Sequence, residues 1–114
     1  MPKIVDREAH RGELLRHSFE VVAQVGYGSL SMKALAGALG VSLGQFYHYF
    51  DSKEDWFVSL VAHYASDTFA QLGREIPHEA TLPEKTALLA GHIARNGERY
   101  ANMVRVAGDY FRMP

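Results

Sequence analysis

Ser31-Met32-Lys33-Ala34-Leu35-Ala36-Gly37-Ala38-Leu39-Gly40-Val41-Ser42-Leu43-Gly44-Gln45-Phe46-Tyr47-His48-Tyr49-Phe50-Asp51-Ser52-Lys53 holds two short helical patterns parted by Gly40, each opened by a serine suited to cap a helix. That is the layout of a helix-turn-helix, which makes DNA the leading candidate partner. In the first pattern, about 32 to 39, Met32, Leu35, Ala36 and Leu39 share a face, and Gly40 is placed for the left-handed position that ends it. Gly37 lies inside that helix, where a glycine costs up to ~1 kcal/mol against alanine, so it is either a tolerated glycine or one needed for packing or close approach to DNA. In the second pattern Gln45 stands three residues after Ser42, the spacing of a capping box. Phe46 and Phe50 should turn inward with Val41, leaving Leu43, Gly44, Tyr47 and His48 on an outer face that is aromatic, small and uncharged.

Upstream, Leu14, Leu15, Phe19, Val22 and Val25 recur at helical spacing, which predicts a helix from a cap near Asp6 to a stop at Gly26. Downstream, Ser52 caps a restart, and Trp56, Phe57, Leu60, Val61, Tyr64, Thr68 and Leu72 make a wide apolar stripe to about Glu75. A helix of that extent spans ~34 Å, long enough to leave a small N-terminal unit and enter a second one. Thr81 and Glu84 form another capping-box pair with Pro83 in the first turn, opening a fifth helix through Leu88, Leu89, His92 and Ile93. Asn96-Gly97 signals a turn, and Tyr100, Met103, Val104, Ala107 and Phe111 predict a sixth helix. The expected fold is therefore all-α: a three-helix helix-turn-helix domain over residues 1–52, then over 53–114 a long linking helix and the first helices of an α-helical regulatory domain.

The chain has 114 residues and no cysteine, which excludes disulfides and thiolate zinc sites and fits a reducing, intracellular setting. No stretch has the length and apolarity of a membrane span or a signal peptide, so the expectation is a cytoplasmic protein without a membrane partner. Net charge is −1, an indifferent value for a nucleic-acid binder, but its distribution says more. The 30 residues between Glu20 and Asp51 contain no acid, and six basic residues face five acidic ones up to Lys53, against six and eight beyond it. Nothing in the candidate DNA-facing segment repels phosphate.

Arg11, Leu14, Ser18 and Gly26, the run Ser31 to Ala36, and above all Gly40-Val41-Ser42-x-Gly44-x-x-Tyr47-x-Tyr49-Phe50-x-Ser52-Lys53-Glu54-Asp55 resemble the tetracycline-repressor (TetR/AcrR) family of bacterial transcription regulators over about residues 7 to 72. The resemblance implies a ligand-responsive regulator and, in the family pattern, a homodimeric repressor. The N-terminal domain binds double-stranded operator DNA and releases it when a small-molecule effector binds a C-terminal helical domain. It carries no cofactor and no metal. Carried over position by position, it places Lys33, Ser42, Leu43, Gly44, Gln45, Tyr47, His48, Tyr49 and Lys53 at DNA. Lysines neutralise phosphate, Gln45 is able to pair with adenine if its capping role leaves the amide free, and the tyrosines reach the backbone. Leu43 stands where the family often has lysine, exchanging a phosphate contact for an apolar one. Ser18 and Val22 replace a common alanine and phenylalanine, a space for Phe19, Tyr27 or Trp56 to fill. His63, Tyr64, His92, Tyr100, Met103 and Tyr110 are weaker candidates for an effector pocket.

Two rivals draw on the same residues. Six histidines and 13 acids supply raw material for an enzyme, and His63 and Asp67 are four apart, but there is no H-E-x-x-H pattern, phosphate loop or nucleophile elbow. A helical protein-interaction module without DNA binding accounts for the apolar C-terminal half, yet gives no reason to exclude acids from residues 21–50.

Overall fold

Six helices and no strand make up the described part of the chain, residues 3–113 of a computed structural model: α1 (Lys3–Val25), α2 (Met32–Leu39), α3 (Leu43–Tyr49), α4 (Lys53–Glu75), α5 (Leu82–Arg95) and α6 (Gly97–Phe111). The boundaries follow local chemistry. Gly26 (φ 90°) ends α1 and Gly40 (φ 73°) ends α2, both in the left-handed region that a side chain disfavours. Ser31, Ser42, Ser52 and Thr81 each accept a backbone N–H three residues on, and at Ser42 and Thr81 the reciprocal bond from Gln45 and Glu84 completes a capping box. Asp55 reaches one residue past that arrangement, accepting the Asp51 N–H at 2.9 Å. Helix α1 begins three residues before the predicted Asp6 cap, and Asp6 instead lies in its first turn, where a carboxylate favours the positive helix end.

One buried cluster joins α1 (Leu14, Leu15, Phe19, Val22), the following loop (Leu30), α2 (Met32, Leu35, Ala36), α3 (Phe46), Phe50, α4 (Trp56, Phe57, Leu60) and α6 (Val106). The first turns of α4 are thus a wall of the same core that holds the helix-turn-helix, and this core runs across the expected junction at residues 52 and 53. Trp56 is fully enclosed, and its indole N–H donates to Ser18 Oγ at 3.0 Å; that hydroxyl in turn donates to the Leu15 carbonyl at 3.0 Å. Ser18 is where the alanine of the family pattern would leave a buried donor without a partner.

Two sequence expectations about packing need correction. Val25 is half exposed at the end of α1, beyond the packed surface. In α6 the inward face is Met103, Val106 and Tyr110, while Val104 (72% exposed) and Phe111 (82%) point away. Both sides of α6 carry apolar residues, so periodicity alone could not choose its phase. Among the described residues, no helix is long and apolar enough to cross a membrane.

Replacing Ser18 by alanine should leave the Trp56 N–H buried and unpaired, costing ~1–3 kcal/mol. Thermal unfolding followed by circular dichroism should show a midpoint lower by roughly 4 °C or more; an unchanged midpoint would show that the bond contributes nothing.

Candidate nucleic-acid interface

The outer face of α3 is the centre of the candidate surface, and its orientation is set from both ends. At the start, Ser42 Oγ accepts the Gln45 N–H at 3.0 Å while Gln45 Oε1 accepts the Ser42 N–H at 3.4 Å, and among the described residues the Gln45 side-chain amide NH2 has no partner. The competing roles of Gln45 are therefore compatible in part: its oxygen caps and its donors remain available. Below, Phe46 and Phe50 are wholly buried with ring centroids 5.1 Å apart, and Phe46 also meets Trp56. Leu43, Gly44, Gln45, Tyr47 and His48 are consequently exposed, as is Lys33 on α2.

Gly37 and Gly44 are exposed, and a Cβ built on either meets nothing within 4 Å. Internal packing requires neither glycine, which removes one of the two reasons offered for Gly37. What they do is keep the surface low on α2 and α3, where backbone is open to approach.

Lys53 starts α4, with its ammonium 4.3 Å above the centre of the Tyr27 ring. Burial, and secondarily the charge of Glu54, push the Tyr27 phenol above its ordinary value, so the ring under Lys53 stays neutral. The Tyr27 backbone N–H donates to Asp109 Oδ2 on α6 at 3.0 Å, and Asp109 also pairs with Arg112. The loop after α1 therefore touches both the candidate phosphate-binding lysine and the last turn of α6. Sequence reading missed this link, because residues 82 positions apart leave no spacing signal.

Tyr49 is also engaged within the fold. Its ring is partly buried, its hydroxyl lies 2.8 Å from His10 Nδ1, and the Arg7 guanidinium sits 4.9 Å over the ring while donating to the His48 carbonyl at 3.0 Å. Arg7 and His10, both overlooked in the sequence, thus hold the C-terminal end of α3 from α1.

The six candidate effector residues do not converge. His63 borders an open groove with Arg11, Ser59 and Asp67, and the Asp67 carboxylate is taken by Arg99 at 3.0 Å. Tyr64 stacks on Phe19 with centroids 3.9 Å apart; burial pushes its phenol up, partly offset by the positive charge of Arg99. His92 is buried between α4 and α6, with Nδ1 facing the Glu75 carboxylate and Nε2 2.6 Å from the Tyr100 hydroxyl. Met103 accepts a long contact of 3.9 Å from the Thr68 hydroxyl, and Tyr110 packs on Phe57 at the edge of the shared core. Most of these side chains hold helices together rather than lining one cavity.

Comparison with known proteins agrees with the geometry. Residues 14–60 match the family model described as bacterial regulatory proteins, tetR family. The fatty acid metabolism regulator protein of Bacillus subtilis (strain 168) is 31% identical over 77 residues, which is 68% of this chain and 40% of that protein. The HTH-type transcriptional regulator BetI of Pseudomonas aeruginosa (strain LESB58) is 35% identical over 66 residues, 58% of this chain and 34% of the relative. A crystal structure of a transcriptional regulator assigned to the TetR/AcrR family superposes with a TM-score of 0.79 at 26% identity, covering 94% of this chain and 58% of the other. The match thus spans well under half the length of these two curated relatives. With the helix-turn-helix core, its caps and its overall fold all in agreement, the chain belongs to the tetR family of bacterial regulatory proteins.

Proposed function

We propose that this chain is the DNA-reading part of a cytoplasmic, ligand-responsive transcriptional regulator, a homodimeric repressor that leaves double-stranded operator DNA when a small effector binds. The observation that carries the reading is the exposed, acid-free face of α3, fixed by the Ser42–Gln45 capping box above and buried Phe46 below, with Lys33 and Lys53 beside it. Residues 42–45 enter the major groove with the N-terminal end of α3 leading, so the uncommitted donors of Gln45 face base edges and Leu43 offers a methyl-rich contact. Lys33, Tyr47 and Lys53 contact phosphates and fix the register. His48 and Tyr49 lie at the far end of the same helix.

The ties of α4 and α6 to this surface support a ligand response. The Arg99 guanidinium reaches Asp67, Thr68 and Gln71 on α4 at 3.0 to 3.4 Å, and Asp109 holds the Tyr27 loop beside Lys53. An effector that moves α6 against α4 therefore pulls on the loop that seats Lys53, and a bound state with a different spacing between two reading heads loses operator affinity. The exposed apolar residues Phe69, Leu82, Leu89 and Ile93 supply surface for the rest of a regulatory domain or for the second subunit.

Titration of duplex DNA across salt concentrations should show Lys53→Ala weakening all sequences about equally, with the salt slope falling by about one unit. An unaltered slope would take Lys53 out of the phosphate contacts. Gly44→Ala should separate folding from binding: the thermal midpoint stays the same or rises, since alanine is favoured over glycine in helices by up to ~1 kcal/mol. Affinity for the duplex should meanwhile fall by about tenfold, or ~1.4 kcal/mol, because the new methyl holds the DNA away. Full affinity in this variant would place the groove contact elsewhere.

A further inference from the structure

The junction between the first turns of α1 and the last turn of α3 brings Arg7 and His10, which the helix-turn-helix reading leaves unused, against Tyr49. Asp6, Arg7, His10, His48 and Tyr49 line one open cleft there. Arg7 covers the His48 carbonyl at 3.0 Å and lies over the Tyr49 ring, while His10 meets Tyr49 edge to face with its Nδ1 2.8 Å from the hydroxyl. We propose that this cleft seats a backbone phosphodiester of duplex DNA, and that protonation of His10 both commits the Tyr49 hydroxyl as a donor to it and adds the charge that holds it. The proposal rests on the reading of α3 as the DNA-facing helix and extends that surface to α1.

The argument turns on hydrogen-bond arithmetic. A phenol has one proton to give. When the imidazole is neutral with its proton on Nε2, the Nδ1 lone pair takes that proton, and Tyr49 offers only lone pairs to an anion. When His10 is an imidazolium, Nδ1–H donates to the phenol oxygen, and the hydroxyl proton turns outward to the cleft. Only this state supplies both a free donor and an added positive charge, and charge-assisted bonds to phosphate oxygens are the strong ones.

The rest of the cleft explains why that charge matters. A helix C-terminus presents carbonyl oxygens that repel an anion, and Arg7 covers one of them while keeping other N–H donors to spare. Among the described side chains, the charged and titratable groups that line the cleft with His10 are Asp6 and Arg7 from α1 and His48 and Tyr49 from α3. Asp6 opposes the charge of Arg7, and protonation of His10 adds a positive charge to the cleft. A phosphate held there therefore binds together with a proton.

The test measures affinity of the whole chain for a labelled random-sequence duplex at constant ionic strength, so that the general phosphate term does not vary. From about pH 8 to about pH 6, across the imidazole range, wild-type affinity should rise by about five- to tenfold. His10→Gln retains an acceptor that never becomes charged and should lose most of the rise; Tyr49→Phe retains the ring under Arg7 and should lose most of it too, whereas His48→Gln should keep more than half. Thermal unfolding at both pH values identifies any variant that fails to fold, and Tyr49→Phe carries the test if His10→Gln does. A wild-type pH slope in His10→Gln would overturn the site, and one in Tyr49→Phe would overturn the relay through the phenol. Binding that is flat with pH in the wild type overturns this proposal alone; absence of binding at any pH overturns the DNA reading with it.

Discussion

Trp56 is enclosed on every side, and the indole N–H it takes into the core has one acceptor, the hydroxyl of Ser18. A buried donor without a partner is costly, so this bond fixes the start of α4 against the middle of α1. The consequence extends in both directions along the chain. Phe46 of the candidate reading helix packs on Trp56, and Phe57, one residue on, packs on Tyr27 and Tyr110. The angle of α3, the seat of Lys53 and the approach of α6 all refer to the same point. A linking helix that also walls the core of the reading head cannot shift without disturbing that head, which is the mechanical requirement for a signal carried along α4.

The candidate DNA surface is made by subtraction as much as by charge. Acids are absent from residues 21–50, side chains are absent at Gly37 and Gly44, and the face of α3 is small or aromatic. The cations stand at its edges: Lys33 on α2, Lys53 at the start of α4, and Arg7 against the end of α3. Such a layout lets the helix lie close to a groove while the charges meet the flanking phosphates. It also compensates for a chain whose net charge gives no general attraction to DNA.

Local signals in the sequence located most helix boundaries because each has a local cause: a serine or threonine hydroxyl at the N-terminus, or a glycine in the left-handed region at the C-terminus. The burial of Phe46, Phe50 and Trp56 and the exposure of Leu43 and Tyr47 followed from spacing for the same reason. Three things were out of reach. The phase of α6 was ambiguous because apolar residues lie on both of its sides, and only packing against α1 and α4 selects Val106 over Val104. The polar contacts that organise the site, Ser18 with Trp56, His10 with Tyr49 and Tyr27 with Asp109, join residues 38 to 82 positions apart, a separation that leaves no periodic trace. The effector-pocket candidates were chosen for their chemistry alone, and spacing gave no sign that His92, Met103 and Tyr110 join helices.

The central claim is that the face of α2 and α3, framed by the start of α4, is the surface that meets DNA. Backbone amide chemical shifts of the labelled chain, followed as a duplex is added, test it directly. The account predicts changes concentrated on residues 31–33, 42–49 and 52–54, with Leu82 to Ile93 undisturbed. Changes centred on α5, or none at low salt, would contradict it.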